Sequence, residues 1–272
     1  MLDLPPLLLA AATSVAGFLL LWPASLALRD SSLADLWWGP GFGAAACAAW
    51  LAGDGTGAAG GLALALVCAW SLRMGWTLGR RRLREGKEDP RYAAIRAQHG
   101  ARWPLRSLGQ VFVLQGALQF ALVAPVAFAA AGGGGEGGGA AAWIGAALAL
   151  LGMGLETAAD VQLDRWKAAG GRGILRGGLR AFVRHPNYSG EILFWTGVAL
   201  VLASGGLWWA AATPILLGLL LARVSGRPLI EERLAARPGW DAYAARTPAF
   251  VPRAQDLRAA LRRGAPGGRA HQ

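Results

Sequence analysis

Seven apolar stretches punctuate the chain, and the loops between them alternate between those that carry Lys or Arg and those that carry neither. The stretches run roughly over Leu4–Leu28, Leu36–Ala52, Ala58–Gly79, Ser107–Ala131, Ala140–Leu163, Ser189–Ala203 and Gly206–Ala222. Crossing a bilayer takes about 20 apolar residues, and in lipid a single segment satisfies its own backbone only as a helix. The second and sixth stretches are short, which implies tilted partners or a locally thinned bilayer. The chain is 54% hydrophobic with a mean hydropathy of +0.37, more than a soluble domain of 272 residues sustains. The expected fold is therefore all-α and integral to a membrane, with about seven transmembrane helices and short cytoplasmic interfacial helices. Ala and Gly fill these stretches, so close helix–helix contact is expected. The first stretch is too long for a signal-peptide core and Met1-Leu2-Asp3-Leu4 carries no basic group, so it reads as a retained helix.

The placement of the 27 Lys and Arg residues orients the bundle. One, Arg29, follows the first stretch; nine lie between Arg80 and Arg106; six lie between Arg165 and Arg184; ten lie from Arg223 to Arg269. Arg73 lies within the third stretch, and the loops near Gly55, Gly135 and Gly205 hold none. Under the positive-inside rule this puts the N-terminus outside and the C-terminus in the cytoplasm. The net charge of +11 thus points to anionic headgroups of membrane lipid as partners. A nucleic-acid binder would need the apolar stretches to fold without lipid, so nucleic acid is not an expected partner. Three regions follow: 1–29, a first transmembrane helix; 30–253, the main membrane domain; and 254–272, a disordered basic tail.

Local signals refine the loops. Asp89 before Pro90 caps a helix that Gly100 ends, and Pro228 opens another over Leu229–Ala236 that Pro238-Gly239 closes; both read as interfacial helices. The Gly132–Gly139 run contains a formal G-x-G-x-x-G match, but it follows a membrane helix rather than a strand and reads as a flexible linker. Asn187-Tyr188-Ser189 is a formal glycosylation sequon on the wrong face. Cys47 and Cys68 sit in apolar stretches and read as small buried hydrophobes. With three histidines and no metal-ligand spacing, no metal site is expected; His99 reads as a helix cap and His271 as a tail residue.

Ionisable groups at membrane depth are costly, so those present are functional candidates: Asp35, Asp54, Arg73, Glu156, Asp160 and Glu191. Glu156, Asp160 and Asp164 step by four along one helix face, with Lys167 beyond them. Like charges at that spacing repel, so the face either lines a polar cofactor cavity or pairs with loop arginines. In Arg184-His185-Pro186-Asn187-Tyr188-Ser189-Gly190-Glu191, Pro186 suits the first turn of a helix. Arg184 and His185 then flank free N–H groups at a helix N-terminus, a setting for a pyrophosphate or carboxylate, or simply positive-inside anchors. Asn187, Glu191 and Trp195 share a face and can grip a ribose, a base or a nicotinamide. The tail Glu231-Glu232-Arg233 to Pro252 mixes charge, aromatic rings and prolines; it either folds back over the cavity or anchors at the interface.

These residues resemble a known family. Arg184-His185-Pro186-Asn187-Tyr188-x-Gly-Glu191, followed by Arg246-Thr247-x-x-Phe250-x-Pro252, is similar to the DUF1295 group, which belongs with the C-terminal domain of steroid 5-alpha-reductases. Asp35-Leu-Trp37-Trp-Gly-Pro-Gly-Phe42, Asp89-Pro-Arg91-Tyr92, Gln115 and Glu156-x-x-x-Asp160-x-Gln162 extend the likeness over about residues 30–253. The resemblance implies a membrane reductase that uses NADPH on a hydrophobic small-molecule substrate; more distant isoprenylcysteine carboxyl methyltransferases use S-adenosylmethionine. Carried over, Asp160, Lys167, Asn187, Tyr188 and Glu191 contact the cofactor, and Arg184 and His185 face its phosphates. Arg73, Arg81, Arg233 and Arg246 are looser phosphate candidates. The relatives polarise an enone with a carboxylate and a tyrosine from early helices. Asp35 supplies the acid here, and no tyrosine precedes Tyr92.

The expected function is reduction of an activated C=C of a steroid- or isoprenoid-like substrate by NADPH, in a cavity among the third, fifth and sixth stretches and the tail. The rivals are S-adenosylmethionine-dependent methyl transfer to a lipid or prenyl substrate, and a non-enzymatic membrane protein. Hydride transfer needs water excluded, the cofactor fixed and an acid at the acceptor. A 2′-phosphate is well met by guanidinium groups, for which a sulfonium has no use.

Overall fold

The computed structural model describes residues 4–55, 57–256 and 258, and every regular element among them is a helix. All but the start of the expected disordered tail, with His271, lies outside the described residues. Apolar helices occupy all seven stretches: α1 (Leu4–Ala27), α2 (Asp35–Ala52), α3 (Ala58–Glu85), α6 (Leu114–Ala130), α7 (Gly139–Ala168), α8 (Pro186–Ser204) and α9 (Ala212–Leu219). The shorter helices are α4 (Pro90–His99), α5 (Trp103–Ser107), α10 (Arg227–Ala235) and α11 (Trp240–Arg246). Five helical runs are long and apolar enough to cross a membrane: Leu4–Ala27, Ala58–Glu85, Pro90–Ala130, Gly139–Ala168 and Trp208–Ala235. The chain is thus multi-pass, with fewer such helices than the expected seven. The two left out are α2 and α8, of 18 and 19 residues, whose opening turns carry Asp35-Leu-Trp-Trp-Gly-Pro and Pro186-Asn-Tyr-Ser-Gly-Glu. Those polar and helix-breaking residues lower apolarity over a length that only just suffices.

The chain divides into two units. One holds the described residues up to Ala149 together with Thr196–Thr213; the other holds Leu150–Trp195 and the described residues from Pro214 on.

In unit 1, α1, α2, α3 and α6 pack on one another. Small residues permit the approach: a Cβ at Gly39 would lie 2.5 Å from Met74 Cγ, and one at Gly116 would lie 3.0 Å from Val15 Cα. Pro40 interrupts the backbone bonding of α2. From α6 the buried Gln119 donates its amide to the carbonyls of Trp37 (3.1 Å) and Trp38 (2.8 Å), supplying partners near that break. Phe18, Trp103 and Phe112 fill an aromatic cluster around Ala34. The three loops without Lys or Arg meet at one place. Gly135 N–H donates to Gly205 O (2.8 Å), Ala59 N–H donates to Glu136 O (2.8 Å), and a Cβ at Gly132 would fall 2.7 Å from Gly55 O. The Gly132–Gly139 run is thus a pinned turn rather than the expected flexible linker. Its glycines at 132, 134, 137, 138 and 139 all take positive φ, which side-chain-bearing residues resist.

The helix at α4 starts and stops for local reasons. Asp89 accepts from Arg91 N–H at 2.9 Å, Pro90 opens the first turn, and Gly100 follows the end in a positive-φ conformation. Pro228 likewise lies in the first turn of α10.

In unit 2, the C-terminal part of α7 lies against the start of α8. A Cβ at Gly190 would sit 2.6 Å from both Glu156 N and Gly152 O, and one at Gly152 would sit 2.4 Å from Phe194 N. Only glycine fits at such backbone contact. Gln162 turns the following loop by accepting from Leu179 N–H at 3.0 Å.

Candidate functional site

Two clusters of polar side chains stand out, one in each unit. In unit 1 the first residue of α2, Asp35, accepts a hydrogen bond from Tyr92 Oη at 2.9 Å. Gln115, on α6, donates its amide to the same phenol oxygen at 3.0 Å. The result is a chain, Gln115 to Tyr92 to Asp35, in which the amide polarises the phenol and the carboxylate takes its hydrogen. Tyr92 is placed by the Asp89 cap of α4, and Asp89 is held in turn by Arg91 (3.1 Å) and Arg81 (3.5 Å). Asp30 pairs with Arg82 on α3 and Glu88 with Arg96 on α4, and Glu88 also accepts from Ser31 N–H at 2.8 Å, which ties the loop before α2 to the loop before α4. Asp35 opens on a cleft of about 360 Å³, its solvent mouth included, together with Leu36, Leu78, Arg81, Arg82 and Lys87. That cleft suits the polar end of a ligand and is too small and open to enclose a dinucleotide.

In unit 2 the segment before α8 is bound by the tail. Arg184 donates Nε to Glu231 Oε1 at 2.8 Å and Nη1 to the carbonyls of Ala244 (2.8 Å) and Thr247. The His185 Nε2 lies 2.9 Å from the same Glu231 oxygen, and Arg227 Nε bonds Glu231 Oε2 at 3.0 Å. Backbone bonds run alongside: Arg184 N–H to Pro248 O (2.9 Å) and His185 N–H to Ala249 O (3.0 Å). Ser189 Oγ donates to Phe250 O at 2.7 Å, and the His185 ring stacks on Tyr188 with Phe250 tilted against both. Tyr243 donates to Arg180 O at 2.7 Å. Burial pushes the His185 imidazole below its ordinary range; the Glu231 carboxylate pulls the other way and is outweighed, with Arg184 and Arg180 adding to the burial. His185 is therefore the neutral donor to a carboxylate that already faces two guanidinium groups.

The sequence candidates divide between the units. Asp35, Arg73 and Arg81 belong to unit 1, where Arg81 shares the Asp35 cleft and also bonds Glu85 at 3.3 Å. Arg73 lies on α3 with its guanidinium 3.9 Å from the Met74 sulfur. In unit 2, Asp160 and Lys167 lie on α7, the first half-buried and the second exposed. Asn187, Glu191 and Trp195 lie on α8 at spacings of four, with Glu191 and Trp195 buried. Glu156 is buried too, against the backbone of Gly190. Arg233 and Arg246 are exposed on α10 and α11. Two residues central to the clusters escaped sequence reasoning. Tyr92 and Asp35 are 57 residues apart with no periodicity to join them. Glu231 is one of several tail charges, and only its position one turn after the Pro228 helix start could have singled it out.

No curated protein and no solved structure matches the chain. The model of one family, described as a protein of unknown function (DUF1295), matches residues 21–247, the greater part of the sequence; it covers both clusters save the tail residues Pro248, Ala249 and Phe250. With that match beside the motifs now placed on α2, α4, α7 and α8, the chain belongs to the DUF1295 family.

Proposed function

We propose that the protein is a membrane-embedded reductase that uses NADPH to reduce an activated C=C of a hydrophobic, steroid- or isoprenoid-like substrate. The observation that carries this reading is the Gln115–Tyr92–Asp35 chain, whose Asp35 opens on the cleft of unit 1. A carbonyl conjugated to the double bond needs a proton at its oxygen as hydride arrives at the β carbon. The Tyr92 phenol, held by the Gln115 amide, gives that proton by exchanging its one hydrogen bond from Asp35 to the substrate oxygen. The tyrosine missing from the first helices, as the resemblance to steroid reductases asks for one, is thus supplied from α4.

NADPH, when bound, supplies the hydride. The fit of unit 2 to it is partial. Asn187 offers an amide to a ribose or nicotinamide, with the buried Glu191 and Trp195 behind it on the same face, and Lys167, Arg233 and Arg246 are exposed cations for phosphate. The donors of Arg184 and His185, expected to face phosphates, already meet Glu231 and tail carbonyls. On this reading the two residues act as positioning groups that hold the α8 start and the tail in place.

That same arrangement favours a second reading, methyl transfer from S-adenosylmethionine to a lipid or prenyl substrate. A sulfonium cofactor has no phosphate to lose partners for. Equilibrium binding of NADPH and of S-adenosylmethionine to the detergent-purified chain decides between them, with Glu191→Gln as control. The reductase reading expects NADPH binding that weakens in Glu191→Gln. Binding of S-adenosylmethionine alone reverses the order, and binding of neither removes both.

A further inference from the structure

The sequence presents Cys47 and Cys68 as two unrelated apolar fillers. The structure places their sulfurs 3.5 Å apart, on α2 and α3, and leaves both side chains half-buried rather than buried. The approach is built by the interface around them. α2 and α3 run past each other on small residues. A Cβ at Gly39 would meet Met74, one at Gly75 would meet Pro40, and one at Gly43 would lie 3.1 Å from Ser71 Cβ and 3.6 Å from Cys68 Cα. Residues 39, 43 and 47 of α2 thus face 75, 71 and 68 of α3, and the cysteines form the next rung of that ladder. A disulfide bond is about 2.05 Å, so closing the pair needs roughly 1.5 Å of sulfur movement, within reach of a small side-chain rotation.

We propose that Cys47 and Cys68 are an intramembrane dithiol, oxidised to a disulfide by hydroperoxides dissolved in the lipid. One thiol sulfur attacks the distal peroxide oxygen. The O–O bond breaks, the alkoxide leaves with the thiol proton as an alcohol, and a sulfenic acid remains. The neighbouring sulfur then attacks that sulfenic sulfur and displaces its hydroxyl, which departs with the second thiol's proton as water. The balance is two thiols and one hydroperoxide to one disulfide, one alcohol and one water. The bond pins α2 to α3, the helices that carry Asp35 at the start of α2 and Arg81 toward the end of α3, and so fixes the frame of the unit 1 cleft.

The test uses the full chain in membranes, treated with cumene hydroperoxide, denatured, labelled with maleimide and read by intact mass. Both labels are lost together, the mass falls by about two units for the two thiol hydrogens, and dithiothreitol restores both sites. In Cys68→Ala, Cys47 gains oxygen instead and no disulfide forms within the chain; Cys47→Ala gives the converse. The proposal is overturned if both thiols of the wild-type chain stay labelled, if each gains oxygen independently, or if the disulfide joins two chains on a non-reducing gel.

Discussion

The two units use the same kinds of side chain for opposite ends. In unit 1 a carboxylate, a phenol and an amide from three helices form a short chain that opens on a cleft. In unit 2 a carboxylate, an imidazole and two guanidinium groups close on each other and hold the tail to the start of α8. The difference lies in what surrounds the acid. Asp35 has a phenol as its neighbour and solvent before it, so its hydrogen bond can be exchanged for one to a ligand. Glu231 answers two cations and a neutral donor at once, and removing it leaves both cations without that partner. A conspicuous charged motif can therefore be the fastening, and a tyrosine with no conspicuous motif can be the chemistry.

The largest effect expected from breaking this contrast is in Glu231→Ala. Arg184, Arg227 and His185 lose their shared acceptor, and the loss is about 2–4 kcal/mol, reduced from the fully buried case because Glu231 is partly exposed. Limited trypsin digestion should then cut at Arg246 and Arg253 much faster than in the parent chain. An unchanged digest would mean that backbone bonds alone hold the tail.

Next is the seam of unit 2. Gly190→Ala forces a methyl group against Glu156 N and Gly152 O, with an expected cost of about 1–3 kcal/mol. A lowered midpoint of thermal aggregation checks it. By contrast Gly79→Ala, where a Cβ meets nothing within 4 Å, should be neutral or better.

Smaller, and dependent on pH, is the contribution of His185. Its folded-state pKa lies below the unfolded value, so the neutral form is the one the fold favours. The stabilisation is complete above the ordinary imidazole value of about 6.5 and is lost as pH falls through the lower folded value. Tail cleavage by a protease active at acid pH should rise as pH falls below about 6.5. His185→Gln keeps a donor toward Glu231 and should flatten that rise; an equally steep rise in the variant would assign the titration elsewhere.

How much of this was legible beforehand follows the distance between partners. The α4 cap is readable because Asp89, Pro90 and Gly100 act within a dozen residues. The start of α8 at Pro186 is readable for the same reason. The basic and uncharged loops are readable because charge placement needs no contacts, and the meeting of the loops near Gly55, Gly135 and Gly205 in unit 1 gives that reading a structural basis. The helices α2 and α8 are legible as helices, but their polar first turns keep them out of the set long and apolar enough to cross. The Asp35–Tyr92 contact and the fourfold bonding of Arg184 to the tail depend on tertiary packing across tens of residues, and no periodicity encodes that. The glycine run at 132–139 misleads because flexibility in composition became a set of positive-φ turns once Gly205 and Ala59 offered partners.

The division of labour between the units is tested most directly by measuring NADPH affinity of Tyr92→Phe and Glu191→Gln side by side with the parent chain. If unit 1 serves the acceptor and unit 2 the cofactor, Tyr92→Phe binds as the parent does and Glu191→Gln binds about tenfold more weakly. Equal weakening in both, or weakening in Tyr92→Phe alone, would contradict the account.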